Sequence, residues 1–322
     1  MPLRTLLKFV VVPAPKTAEL YPELAPFATA MKRRDWPTLR LLFGQLPPII
    51  DPTWAVQAAI ETKGCETFLE RLVKEDRTST LPRLLLAERY VRLGWEARSA
   101  KRARYVSREQ FQVFFGHLGQ AEKLLESVTD EEPFNIAAWT GRIRTARGLE
   151  MGKDEARRRY IWAAQSFSNP VYAQRQLLQV LCPKWSGSFP ELHAFAQECA
   201  AVAPPGSVNA AVVAEGYVEE FFDLPTKDDR IAFFQQPDVV KALIAAADRS
   251  VNHPPFVPGP GWVWANSTFA FAFRYAGEYA RALPLFRANG YEITYPWTNL
   301  ADPTTAWRHA RAYCEKKASR AR

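Results

Sequence analysis

Apolar residues recur every three to four positions along most of this chain. Leu39, Leu42, Phe43 and Leu46 form one such set, and Phe111, Phe114, Phe115 and Leu118 a second. Ala121, Leu124, Leu125 and Val128 form a third, with shorter sets at Leu177, Leu178, Leu181 and at Val239, Leu243, Ala246. That period places the apolar side chains on one face of a helix. Strand-type alternation is rare. The exception, Phe269-Ala270-Phe271-Ala272-Phe273, stands just before Gly277, which places it in the first helix of a hairpin. Most of the 25 prolines fall between apolar runs, as at Pro47-Pro48, Pro133, Pro204-Pro205 and Pro254-Pro255. They divide the chain into pieces of about 10–20 residues, the length of ordinary helices. The predicted fold class is all-α. The longest irregular stretch, Ser250–Gly261, holds four prolines and two glycines and reads as a linker or functional loop.

A second, longer period lies over the first. Take Ala121 as an anchor: Leu125 follows at +4, Val128 at +7, Pro133 at +12 and Trp139 at +18. Ala156 has Tyr160 at +4 and Ala163 at +7. Leu192 has Gly187 at −5, Cys199 at +7 and Pro204 at +12. Ala282 has Gly277 at −5 and Phe286 at +4, and Leu39 has Phe43 at +4. The spacing from 121 to 156 to 192 is 35 and then 36 residues. This pattern resembles the tetratricopeptide repeat (TPR), a helical hairpin of about 34 residues. The resemblance implies a right-handed α-solenoid of degenerate hairpins; a helical bundle with accidental spacing is the alternative. The implied organisation is an N-terminal arm over 1–17, a helical array over 18–249, the loop at 250–261, and a C-terminal hairpin with a capping helix over 262–322. Three stretches, Gly94-Trp95-Glu96-Ala97-Arg98, Val106–Phe111 and Pro183-Lys184-Trp185-Ser186-Gly187-Ser188, with the run from His193 to Ser207, resemble a group of bacterial TPR-like proteins of actinobacterial type. That group is a domain family of unknown function, so the resemblance implies a fold and no activity.

Composition narrows the class. Of 322 residues 48% are hydrophobic and 13% aromatic, too many for a largely disordered chain. The four cysteines (Cys65, Cys182, Cys199, Cys314) have no metal-ligand or redox spacing and read as small buried hydrophobes. The apolar stretch Leu6–Val12 is far below the roughly 20 residues of a spanning helix. The expectation is a soluble, cytoplasmic chain with no membrane partner.

Charge is segregated. The formal net charge is +8, divided as +2 over 1–82, +7 over 83–185, −6 over 186–260 and +5 over 261–322. Arg98, Lys101, Arg102, Arg104 and Arg108 put five cations into 11 residues, and Arg142, Arg144, Arg147 and Arg157-Arg158-Arg159 add more. Solvated helix faces, an anionic protein partner and nucleic acid all fit such runs. No HExxH, GxGxxG, GxxxxGK[ST] or GxSxG motif occurs, so no cofactor or metal is implied and an enzyme reading has no catalytic set to name. The TPR resemblance implies an inner, ligand-facing row on the first helix of each hairpin. It assigns Arg144, Arg147, Gln174, Leu177, Leu181, Lys184, Trp264, Ser267, Phe271 and Arg274 to that row. The leading expectation is therefore a non-enzymatic scaffold that takes an acidic peptide or protein in this groove. The alternative is an anion- or nucleic-acid-binding accessory protein that uses Arg98, Lys101, Arg102, Arg104 and Arg108. A second alternative is an enzyme with an unidentified site.

Overall fold

The computed structural model describes residues 15–99 and 105–320, and these hold seventeen α-helices and no strand. The all-α expectation agrees with this. Two compact units divide the chain, the first spanning Lys16–Phe195 and the second taking in the residues from Ala196 onward. The division falls within a helix. Of the 1–17 arm, residues 1–14 lie outside the described residues, and Thr17 already belongs to a helix.

The first unit contains α1 (Thr17–Leu20), α2 (Ala25–Arg33), α3 (Trp36–Gly44), α4 (Pro52–Ile60) and α5 (Glu66–Glu75). It continues with α6 (Leu81–Arg98), α7 (Arg108–Glu131), α8 (Ile136–Gly148), α9 (Lys153–Ser166) and α10 (Val171–Val180), and then enters α11 (Phe189–Val202). Several helices start where a side chain satisfies the orphan N–H groups of the first turn. Asp35 accepts from the Thr38 N–H, Asp51 from Thr53, and Asn135 from Ala138. Ser107 and Gln110 form a reciprocal capping box at the head of α7.

Packing runs in two directions. Each of α5–α6, α6–α7, α7–α8, α8–α9 and α9–α10 is a packed pair of sequence neighbours. Alternate helices also touch, α4 with α6, α6 with α8 and α8 with α10. Helices α4 and α8 are consequently buried nearly all round, and α4 is buried from Thr53 to Ile60. The five repeat anchors Leu39, Ala121, Ala156, Leu192 and Ala282 are all fully buried. The turn from α10 to α11 demands its glycine, because a Cβ on Gly187 would stand 2.3 Å from the Leu181 carbonyl oxygen.

The second unit holds α12 (Ala211–Asp223), α13 (Lys227–Phe234), α14 (Pro237–Arg249), α15 (Trp262–Ala276), α16 (Tyr279–Ala288) and α17 (Pro303–Arg320). Phe269–Phe273 lies inside α15, and Gly277 closes that helix with a left-handed φ of 84° before α16 begins. The alternation that looked strand-like buries both of its faces: Phe269, Phe271 and Phe273 are fully buried. Phe271 packs edge-on to Phe221 and Trp297. Ser250–Gly261 is irregular, as expected. All four cysteines are buried free thiols.

Two predictions follow from this packing. Gly187→Ala is expected to lower stability by about 1–3 kcal/mol through backbone overlap. Gly119→Ala, in open space within α7, is expected to raise it by about 0.5–1 kcal/mol; urea titration of both variants reads the opposite signs. Burial pushes the Asp51 carboxyl from 3.8 up to about 6, against the lowering effect of its Thr53 hydrogen bonds. The folded state thus holds that proton more tightly than the unfolded chain, and stability falls as pH rises from about 4 to about 6. Asp51→Asn retains the cap and removes this fall. At pH 8 the variant is expected to be more stable than the parent by on the order of 2 kcal/mol, with the two nearly equal at pH 4.

Candidate functional site

The central helices of the first unit carry charges into its interior. Glu88 on α6 is almost wholly buried and accepts hydrogen bonds from Gln57 Nε2 on α4 (2.7 Å) and Arg144 Nη1 on α8 (2.6 Å). Burial pushes the Glu88 carboxyl up, and Arg144 pulls it back down. Gly141 lies under this carboxylate, where a Cβ would come within 2.2 Å of Glu88 Oε1. A second buried group joins α7, α8 and α9. Glu122 receives Arg142 (3.0 Å) and Arg159 (2.8 Å), and Arg142 also reaches Thr129. Glu155 is held down to about 2, chiefly by its Arg158 hydrogen bond and also by Arg159.

The residues of the expected groove fall in several different environments. Arg144 does not offer its charge to a partner, because its guanidinium is spent on Glu88 inside the helix layer. Gln174, Leu177 and Leu181 are buried in the first unit, and Trp264, Ser267 and Phe271 in the second. Helices α8 and α15 are packed on nearly every side, so positions that a regular repeat would expose are covered by their own chain. Arg274 is partly buried, with its guanidinium 3.9 Å from the Tyr313 ring centre and Tyr275 and Tyr279 nearby. Of the basic alternative, Lys101, Arg102 and Arg104 lie outside the described residues. Arg108 is exposed at the start of α7.

Three of the expected cations do come together. Arg98 in the last turn of α6, Arg147 in the last turn of α8 and Lys184 after α10 line one cleft of about 400 Å³ in the first unit. The cleft exists because α8 ends on a residue without a side chain. A Cβ on Gly148 would overlap Leu118 Cδ1 at 2.2 Å and Phe114 Cζ at 2.8 Å. Glu150 (φ 57°) and Gly152 (φ 87°) then reverse the chain into α9 through left-handed conformations. Gly152 lines the cleft and stands at the N-cap of α9 without a side-chain cap, and Asp154 and Glu155 occupy the first turn of that helix. Among the described lining residues Glu150 is the carboxylate.

Aromatic rings hold two of the cations by their faces. Arg147 sits 4.5 Å from the Trp95 ring centre and 5.5 Å from that of Trp185. Arg98 lies 5.2 Å from Trp185 and 5.8 Å from Trp95, and the two indoles meet edge to face at 5.6 Å. Each such contact contributes about 0.5–2 kcal/mol and restricts the rotamer of the arginine. Phe111, Phe114 and Val180 supply an apolar wall beside the charges. The aromatic members were not assigned to a site from the sequence. The only signal was that Trp95, Phe111 and Trp185 fall in the three stretches that carry the bacterial TPR-like resemblance.

Because Glu88 is buried against Arg144, removing one partner is expected to cost much more than removing both. Arg144→Met should lower stability by about 3–5 kcal/mol, while Arg144→Met combined with Glu88→Gln should recover most of that loss. Chemical denaturation of the two single variants and the double variant measures the coupling.

No family model matches this chain, no curated protein is similar to it, and no solved structure matches it.

Proposed function

We propose that the protein is a non-enzymatic interaction protein of TPR-like, right-handed solenoid type that binds an acidic segment of a partner protein at the Arg98–Arg147–Lys184 cleft. One observation carries the reading: cations from the last turns of α6 and α8 and from the segment after α10, Arg98, Arg147 and Lys184, line the same opening. The pairing of sequence neighbours, together with contacts between alternate helices, supports the solenoid assignment, since stacked hairpins meet in that way. The stretches that resemble the bacterial family, 94–98, 106–111 and 183–188, contribute Arg98, Phe111, Lys184 and Trp185 to the cleft. A cytoplasmic setting accords with four cysteines that form no disulfide. Among the described residues no helix is long and apolar enough to cross a membrane.

The charge of the 83–185 segment favours a discrete acidic partner over nucleic acid. Arg142, Arg144 and Arg159 are held in internal ion pairs, which takes three described cations of that segment away from any phosphate backbone. The test is affinity capture from the host with and without nuclease, using the parent chain and Lys184→Glu. The expected outcome is a protein that survives nuclease and is lost, or weakened at least about tenfold, with Lys184→Glu. Recovery of nucleic acid alone, with binding that falls steeply with salt, would transfer the assignment to the basic 98–108 segment.

A further inference from the structure

Helix α14, in the second unit, is apolar on two opposite faces. One face packs on α12 and α15, with Val239, Leu243, Ala246 and Ala247 buried. The other turns to solvent. There Pro237, Val240, Lys241, Ile244, Ala245 and Asp248 line one open hollow of about 580 Å³. Pro237, Lys241, Ala245 and Asp248 are exposed, and Val240 and Ile244 are half-buried. An apolar stripe opposite the core face adds nothing to the helix's own packing, which marks it as a contact surface.

The stripe is complementary to itself. Lys241 and Asp248 stand seven residues apart, so opposite charges lie two turns apart on one face. Ile244 and Ala245 lie between them. A two-fold axis midway between positions 244 and 245 lays a second α14 antiparallel across the first. Each Lys241 is then level with Asp248 of the other copy, about 5 Å from the axis along the helix. The large Ile244 falls on the small Ala245 of the facing helix, which lets the two helices approach. A parallel arrangement would instead set lysine on lysine and aspartate on aspartate. Asp248 already receives Arg281 Nη1 at 3.3 Å, yet 53% of its side chain is exposed. Its carboxylate keeps acceptor sites for a second cation.

We propose that the outer face of α14 is a homodimer interface, occupied by α14 of a second copy, antiparallel and paired through Lys241 and Asp248. The cleft of the first unit takes no part in it. One helix face is smaller than a standard interface, so association weaker than about micromolar is expected.

Sedimentation equilibrium of the full chain between about 5 and about 500 µM tests it. The parent is expected to pass from monomer to dimer within that range. Lys241→Asp and Asp248→Lys each bring like charges together at both ends of the symmetric interface. Each should weaken association at least about tenfold. The double variant Lys241→Asp, Asp248→Lys restores both pairs and should dimerise as the parent does. An equimolar mixture of the two single variants should form the mixed dimer, although neither associates well alone. Both positions are exposed, so the variants keep the fold, and thermal melting checks this. A parent that stays monomeric throughout, single swaps without effect, or a double variant as weak as the singles would overturn the proposal. So would a monomeric parent that captures a host protein lost with Lys241→Asp, since the face would then belong to a different partner.

Discussion

A carboxylate enclosed among helices sets the terms for the first unit. Glu88 is tied to α4 by Gln57 and to α8 by Arg144, and Gly141 leaves the space in which it sits. A buried ion pair adds little net stability, since desolvation offsets most of the attraction. Its effect is on alternatives. Any rotation or slip of α6 against α8 would leave Glu88 or Arg144 unpaired in a medium where an unpaired charge is costly. The arrangement of α4, α6 and α8 therefore has one register. The Glu122 group does the same for α7, α8 and α9, and between them the two networks hold α8 on both sides.

That commitment separates the environments of neighbouring arginines. Arg144 and Arg147 are one helical turn apart on α8, yet the first faces the buried carboxylate and the second lies at the helix end beside two indoles. A stacked guanidinium keeps its planar fork pointed along the ring, which preserves its capacity to grip a planar anion. The cleft lining thus carries an arginine set against aromatic faces. Its shape comes from small residues at a chain reversal: Gly148 allows α8 to end against α7, and Gly152 starts α9 without a capping side chain.

The second unit handles its arginine differently. Arg274 lies over Tyr313 with Tyr275 and Tyr279 close by, while the helix that carries it is buried through Phe269, Phe271 and Phe273. Around Arg274, aromatic faces take the place that carboxylates take around α8. A row of inner positions read from repeat register passes through both environments without distinguishing them.

Helix class, the hairpin turn at Gly277, the irregular 250–261 segment and the apolar positions 39, 121, 156, 192 and 282, all buried, were legible in the sequence. Each depends on residues within about one or two helical turns, where periodicity, glycine and proline act locally. The division into units at 195 and 196, the burial of Gln174, Trp264, Ser267 and Phe271, and the pairing of Arg144 with Glu88 across 56 residues were not legible. The cleft shows the division most clearly. The sequence marked Arg98, Arg147 and Lys184 as cations, since charge belongs to the residue. Only the tertiary structure decided which cations met carboxylates, which met tryptophans, and which of them came to share one opening, because a partner is set by packing and not by spacing along the chain.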